Sequence, residues 1–142
     1  MKNIQFFDCR GAAEDYEFFL QRQEHVWEQR LLDLAPNTVI LSRNPPTITL
    51  GARSIREQLP HIRPLPKQWL DEPDDEILFA KAREFMKEEF SIELIRTSRG
   101  GSVWYHDMGV LQISVVAELE HGFPSEIVYP LEETLYQTLE AL

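Results

Sequence analysis

A chain of 142 residues with 43% hydrophobic and 11% aromatic content matches one domain of ordinary size and carries enough apolar side chains for a core, which argues against intrinsic disorder. Fourteen Lys and Arg against 24 Asp and Glu leave a formal charge of −10, which repels phosphate backbones and argues against nucleic acid as a partner. The single cysteine, Cys9, excludes an internal disulfide and a paired-thiol metal or redox centre, no apolar run approaches the ~20 residues of a membrane span, and the start MKNIQFFDCRG lacks the basic-then-apolar pattern of a secretion signal. A reducing cytoplasm, with no membrane partner, is the expected setting.

After a short apolar start (Ile4, Phe6, Phe7), the segment from Ala12 to Leu34 places Tyr16, Phe19, Leu20, Gln23, Trp27, Leu31 and Leu34 at helical spacing. That predicts an amphipathic helix with Tyr16, Phe19 and Trp27 in the core. Ala35-Pro36-Asn37 stops it. The runs TVILSR and TITLG predict two short strands on either side of Asn44-Pro45-Pro46. From Arg53 to Asp75, charge and four prolines (Pro60, Pro64, Pro66, Pro73) predict a long irregular flap, the least ordered part of the chain. Asp74 to Phe90 reads as a second amphipathic helix riding on a sheet, with Asp74 as N-cap.

Three strands follow, Ile92 to Ile95, Ser102 to Tyr105 and Val110 to Val116, separated by the glycine loops Arg99-Gly100-Gly101 and Asp107-Met108-Gly109. Ile127, Leu131, Leu135, Leu139 and Leu142 predict a third helix with Ser125 as N-cap. Pro130 either kinks its first turns or marks its start. The order β-α-β-β-(flap)-α-β-β-β-α describes one α+β domain over 1–142, a mixed or mostly antiparallel sheet flanked by amphipathic helices.

Arg99-Gly100-Gly101 followed by Tyr105-His106 is the constellation with chemical content. Glycines let a backbone approach a ligand closely, Arg offers a fixed charge for a carboxylate, phosphate or carbonyl, and Tyr with His supply hydrogen bonds and a titratable group. Read bottom-up, these residues are either the edge of a small-molecule pocket or a plain hairpin turn with a solvated Arg99 and an ordinary strand-end His106. His25, His61 and His121 have no metal-ligand spacing, so no metal site is expected.

The pattern N-P-P-T-I-T-L-G (Asn44 to Gly51), followed about fifty residues later by R-T-S-R-G-G-S-V-W-Y-H-D-M-G (Arg96 to Gly109), resembles the lipoyl(octanoyl) transferases, or lipoate-protein ligase B, of the biotin/lipoate protein ligase superfamily. The likeness covers roughly Asp33 to Leu142. It implies the superfamily's catalytic-domain fold, no cofactor, and transfer of an octanoyl group from acyl carrier protein to a lysine of a lipoyl domain. It also implies that Arg99, Gly100, Gly101, Tyr105 and His106 line the acyl or lipoyl pocket, with the glycine backbone of Gly101 and the side chain of His106 serving binding more than folding.

Three departures stand beside the likeness. Asn44 sits where the transferases carry His, and Asp107-Met108-Gly109 replaces Gly-Pro-Gly, a Tyr-His-Asp pattern closer to the ATP-using lipoate ligases. Ala52-Arg53-Ser54 in turn departs from the ligases' Arg-x-Gln-Asn. The nucleophilic Cys and partner Lys that the resemblance implies would follow Leu142, so the expectation is an amino-terminal portion that binds acyl groups without turnover, with self-association or a missing second half. Cys9 is a weak substitute for that nucleophile. An ATP-dependent lipoate ligase and a non-catalytic interaction relative are the alternatives.

Overall fold

The computed structural model describes residues 4–11 and 14–141. The elements are β1 (Ile4–Cys9), α1 (Tyr16–Leu31), β2 (Asn37–Ser42), β3 (Thr47–Leu50), α2 (Ile55–Gln58), α3 (Asp75–Phe90), β4 (Glu93–Arg96), β5 (Trp104–His106), β6 (Gln112–Val116) and α4 (Ser125–Glu140). The architecture is α+β, as expected, but its strands form two three-stranded sheets, ordered β1-β2-β6 and β4-β3-β5. The chain correspondingly gathers into two units, one built on residues 9–19 and 42–112 and the other on the rest. Among the described residues no helix is long and apolar enough to cross a membrane.

In the unit of residues 42–112, β3 is buried along its whole length, and the two-residue period of a strand divides its side chains. Ile48 and Leu50 join Leu94 of β4 and Leu78, Ala82 and Met86 of α3 in one apolar core. Thr47 and Thr49 therefore face the other way. β4 lies parallel to β3, with Thr47 opposite Glu93 and Leu50 opposite Arg96, and a parallel partner requires the crossover that α3 supplies. β5 runs antiparallel on the other edge, with Thr47 opposite His106 and Thr49 opposite Trp104. Because β4 and β5 flank β3 instead of pairing with each other, the Arg99-Gly100-Gly101 stretch passes from one side of β3 to the other and is not a hairpin turn. α3 begins as expected, with the Asp74 carboxylate accepting the N–H groups of Glu76 (2.8 Å) and Ile77 (3.1 Å).

The segment from Arg53 to Asp75 corrects the flap expectation. It holds α2 and two 3-10 turns, Leu59–His61 and Lys67–Asp71. Ile55, Leu59 and Ile62 are buried in the apolar core. Their spacing of four and three is helical, a signal masked by the surrounding prolines and charges. Arg56 fastens the far end of the segment: its guanidinium donates to the Leu70 carbonyl (3.1 Å) and the Glu72 carbonyl and pairs with the Asp75 carboxylate.

In the other unit, Arg30 near the end of α1 donates Nε–H to Asn37 Oδ1 (3.0 Å) and pairs with Asp33 and Glu118. This ties the helix end to β2 and to the segment after β6. α1 starts at Tyr16, its first residues counting with the unit of residues 9–19 and 42–112, and the Asp15 carboxylate accepts the Phe18 N–H (2.8 Å); of the predicted start, Ala12 and Ala13 lie outside the described residues. It ends at Leu31, and Asp33 takes a left-handed φ of 56°. Of the three aromatics expected in the core, Tyr16 and Phe19 are buried, whereas Trp27 is 54% exposed and Val26 is buried instead.

Ser125 is the first residue of α4 and not its N-cap. Order at this end comes from Glu126, whose carboxylate accepts the backbone N–H groups of Phe123 (2.9 Å), His121 (3.0 Å) and Glu120 (2.7 Å). Those bonds hold it below the usual carboxylate range. Pro130 lies inside the helix, which removes it as the helix start. No residue of α4 is buried, and Leu131, Leu135 and Leu139 are exposed; Leu142, the last residue of the predicted rhythm, lies outside the described residues.

Candidate functional site

The threonine face of β3 collects a polar group around one hydroxyl. Thr49 Oγ1 accepts from Arg99 Nη2 (2.6 Å) and Nε (3.2 Å), and Nη2 also donates to the Thr49 carbonyl (2.8 Å). Arg99 Nη1 donates to the Gly100 carbonyl (3.0 Å). The guanidinium is thus half-buried and held in one orientation, in contrast to a solvated hairpin arginine. His106 Nε2 lies 3.4 Å from the same hydroxyl, and the His106 ring packs 4.6 Å from that of Tyr16.

Burial first, and then the neighbouring Arg99 charge, push the His106 imidazole below its ordinary value of 6.5. It is neutral at pH 7 and can accept or relay a proton. Burial moves Tyr16 the other way, above 10.0, against the opposing effects of a hydrogen bond with Gln112 and the charge of Arg99. Its phenol stays protonated. Asn44 Oδ1, in the segment leading into β3, and Gln112 Oε1 are buried acceptors with no hydrogen-bond partner among the described residues.

The glycine loop is seated on the end of β3. The N–H and hydroxyl of Thr97 both donate to the Leu50 carbonyl (2.9 and 3.0 Å), and the Ala52 N–H donates to the Arg99 carbonyl (3.0 Å). Such closeness requires glycine at 51, where a Cβ would stand 2.5 Å from the Gly101 carbonyl oxygen. Gly101 takes a φ of 82°, and nothing lies within 4 Å of where a Cβ on Gly100 would point. Gln58, fully buried, braces this landing from below. Its Oε1 accepts the Gly51 N–H (2.8 Å), and its Nε2 donates to the carbonyls of Gly51 (3.1 Å) and Arg53 (2.7 Å).

Of the residues expected at the site, Arg99, Gly100, Gly101 and His106 come together around Thr49 and the end of β3. Tyr105 is one strand position away, opposite Ile48 and 45% exposed, so it belongs to the other face of the sheet. The register puts the exposed Trp104 on the Thr49 face in its place. Sequence reasoning missed Trp104, Thr49, Tyr16 and Gln58 as site residues. The one available signal was the Thr-Ile-Thr-Leu alternation, which marks a strand with a polar face. Cys9 closes β1 and is half-buried. Among the described residues no group of three or more His, Cys, Asp or Glu could hold a metal ion. The arrangement therefore offers a fixed cation, a neutral imidazole and an accessible glycine backbone, which suits the binding of a carbonyl or carboxylate head group.

Comparison with known proteins bears on the family. Residues 15–142 match the family model of the lipoyl protein ligase A/B catalytic domain. Three curated relatives, each named octanoyltransferase, come from Syntrophobacter fumaroxidans (30% identical over 108 residues, 76% of this chain and 38% of that protein), Caldicellulosiruptor bescii (26% over 135 residues, 93% and 50%) and Desulforamulus reducens (24% over 139 residues, 96% and 52%). The chain spans about half the length of these relatives or less. Two solved structures of a protein described as a lipoate protein ligase from T. acidophilum also align. The one with bound lipoic acid matches over 80% of this chain and 36% of its own (16% identity, TM-score 0.39), and the other over 84% and 41% (16% identity, TM-score 0.42). With the family model covering all but the first fourteen residues, the chain belongs to the lipoyl protein ligase A/B catalytic domain family.

Proposed function

We propose that this chain supplies the acyl-binding part of a lipoyl(octanoyl) transferase. In this reading octanoyl passes from acyl carrier protein to a lysine of a lipoyl domain in the cytoplasm, and both units belong to one catalytic domain, since the family match runs through each of them. The observation that carries the proposal is the Arg99–Thr49–His106 group beside the glycine loop. Arg99 and the open backbone at Gly100 would receive the acyl carbonyl, with neutral His106 as hydrogen-bond partner and Trp104 along the alkyl chain. The group contains no activated nucleophile, because the Thr49 hydroxyl is engaged by Arg99. Acyl transfer through a thioester needs a thiolate, and the only thiol in the chain is that of Cys9. In this reading these residues bind the acyl group, and Cys9, half-buried at the end of β1, is not the nucleophile.

Calorimetric titration with octanoate and with lipoate tests this, run on the chain and on its Arg99→Gln and His106→Gln variants. Saturable binding that falls at least tenfold in both variants is the expected result; binding unaltered in both removes this face of β3 from the site. Octanoyl transfer that survives Cys9→Ser would overturn the assignment of a missing nucleophile. Adenylation of lipoate with ATP would move the reading to the ligase branch, and an absence of any acyl binding would leave an interaction module.

A further inference from the structure

On the side of the sheet away from Thr49 the structure contains a cavity of about 200 Å³ between α3 and the segment of residues 59–70. Its inner wall is apolar, formed by Leu59, Ile62, Leu78 and Ala82, with Trp69 and Leu70 alongside. Arg63 and Lys67, both exposed, line it as well and so stand at its rim. Among the described residues neither cation is engaged in an ion pair, whereas the neighbouring cations are: Arg56 holds Asp75 and Lys81 holds Glu72. Two cations four residues apart without an ion-pair partner are notable in a chain of net charge −10.

The wall is also held open. Pro60, Pro64 and Pro66 fix φ at three points of the segment, and Arg56 fastens its far end through the carbonyls of Leu70 and Glu72. A cavity kept in shape before anything binds loses little freedom on binding. Water gains little in a pocket with so few polar partners. At about 30 Å³ of liquid volume per water-sized group, 200 Å³ admits an alkyl tail of about six or seven carbons.

We propose that this cavity is a second ligand site, distinct from the threonine face of β3, for a short alkyl chain ending in an anionic head. The tail lies against Leu59, Ile62 and Ala82, and the head is met by Arg63 and Lys67. Nothing in the proposal depends on the chain being an acyl-binding protein. A chain carrying Trp27→Phe and Trp104→Phe leaves Trp69 as the single tryptophan, so its fluorescence reports on the cavity. Hexyl sulfate, which cannot act as an acyl donor, is the probe.

The expected result is a saturable change in Trp69 emission with hexyl sulfate, at least tenfold weaker with hexanol and with methyl sulfate. Binding should also fall at least tenfold in Arg63→Glu/Lys67→Glu, whose exposed positions leave the melting temperature unchanged, and should persist in Arg99→Gln. No saturable change, an equal response to hexanol, or equal binding by the charge-reversed variant would overturn the proposal. Loss of the response in Arg99→Gln would overturn the separateness of the two sites.

Discussion

Gly51 and Gly100 differ in what surrounds them, and that difference is measurable. At Gly51 a methyl group meets a backbone carbonyl that can retreat only if the whole glycine loop lifts off β3, so Gly51→Ala should lower stability by about 1–3 kcal/mol. Gly100→Ala, with open space around it, should stay within about 0.5 kcal/mol of the parent chain. Urea denaturation of the two variants checks both, and equal effects would mean that the loop is not seated as described. His106 adds a dependence on pH. Its folded pKa is depressed, so below about 6.5, the ordinary value, the unfolded chain takes up its proton more readily than the folded one, and stability falls as pH drops. His106→Gln should flatten that part of the profile in thermal melts taken between pH 7 and 5. Arg99, the glycines and His106 could be picked out from sequence because their residue types carry the chemistry openly. Thr49, Tyr16 and Gln58 could not, since a strand threonine, a helix tyrosine and a glutamine among prolines look like ordinary structure. His106 is buried and its ring packs against that of Tyr16, so replacing it should cost stability in addition to any ligand binding, and the φ of 82° at Gly101 means that a β-branched substitution there strains the backbone as well.

Among the elements, α4 stands apart because no side chain along its length is buried, although Leu131, Leu135 and Leu139 recur on one face. Exposed apolar rows of this kind associate. The 142-residue chain should therefore sediment above the monomer mass at high concentration, and Leu135→Lys/Leu139→Lys should return it to a monomer without lowering the melting temperature. A parent chain that is monomeric throughout would contradict this. α3 was legible in part, because Asp74 marks its start and Leu78 and Met86 its buried side, whereas Ile77 and Phe90, expected on the same side, are exposed and Ala82 is buried instead. Residues 53–75 were less so: composition spoke for an irregular flap, while the positions of Ile55, Leu59 and Ile62 spoke for a packed helix, and packing decided. Strand pairing was the least legible feature. Two strands joined by a glycine loop suggest a hairpin locally, and only the competition for the edges of β3 sends β4 and β5 to opposite sides.

For the molecule as a whole, the distance along the chain between β3 and its partners governs how the site comes into being. Thr47 meets Glu93 on one edge and His106 on the other, so neither ladder forms until α2, α3 and the turns between them have closed a long loop, an entropic cost paid before any strand contact repays it. The helices can form early from local contacts. Arg99 and His106 reach Thr49 only when both edges are in register, late in folding. A partly folded chain, however helical, has no assembled site, and the amide protons of Thr49 and Leu50, at the middle of the sheet and buried on both faces, are the ones that exchange with solvent only when the whole unit opens.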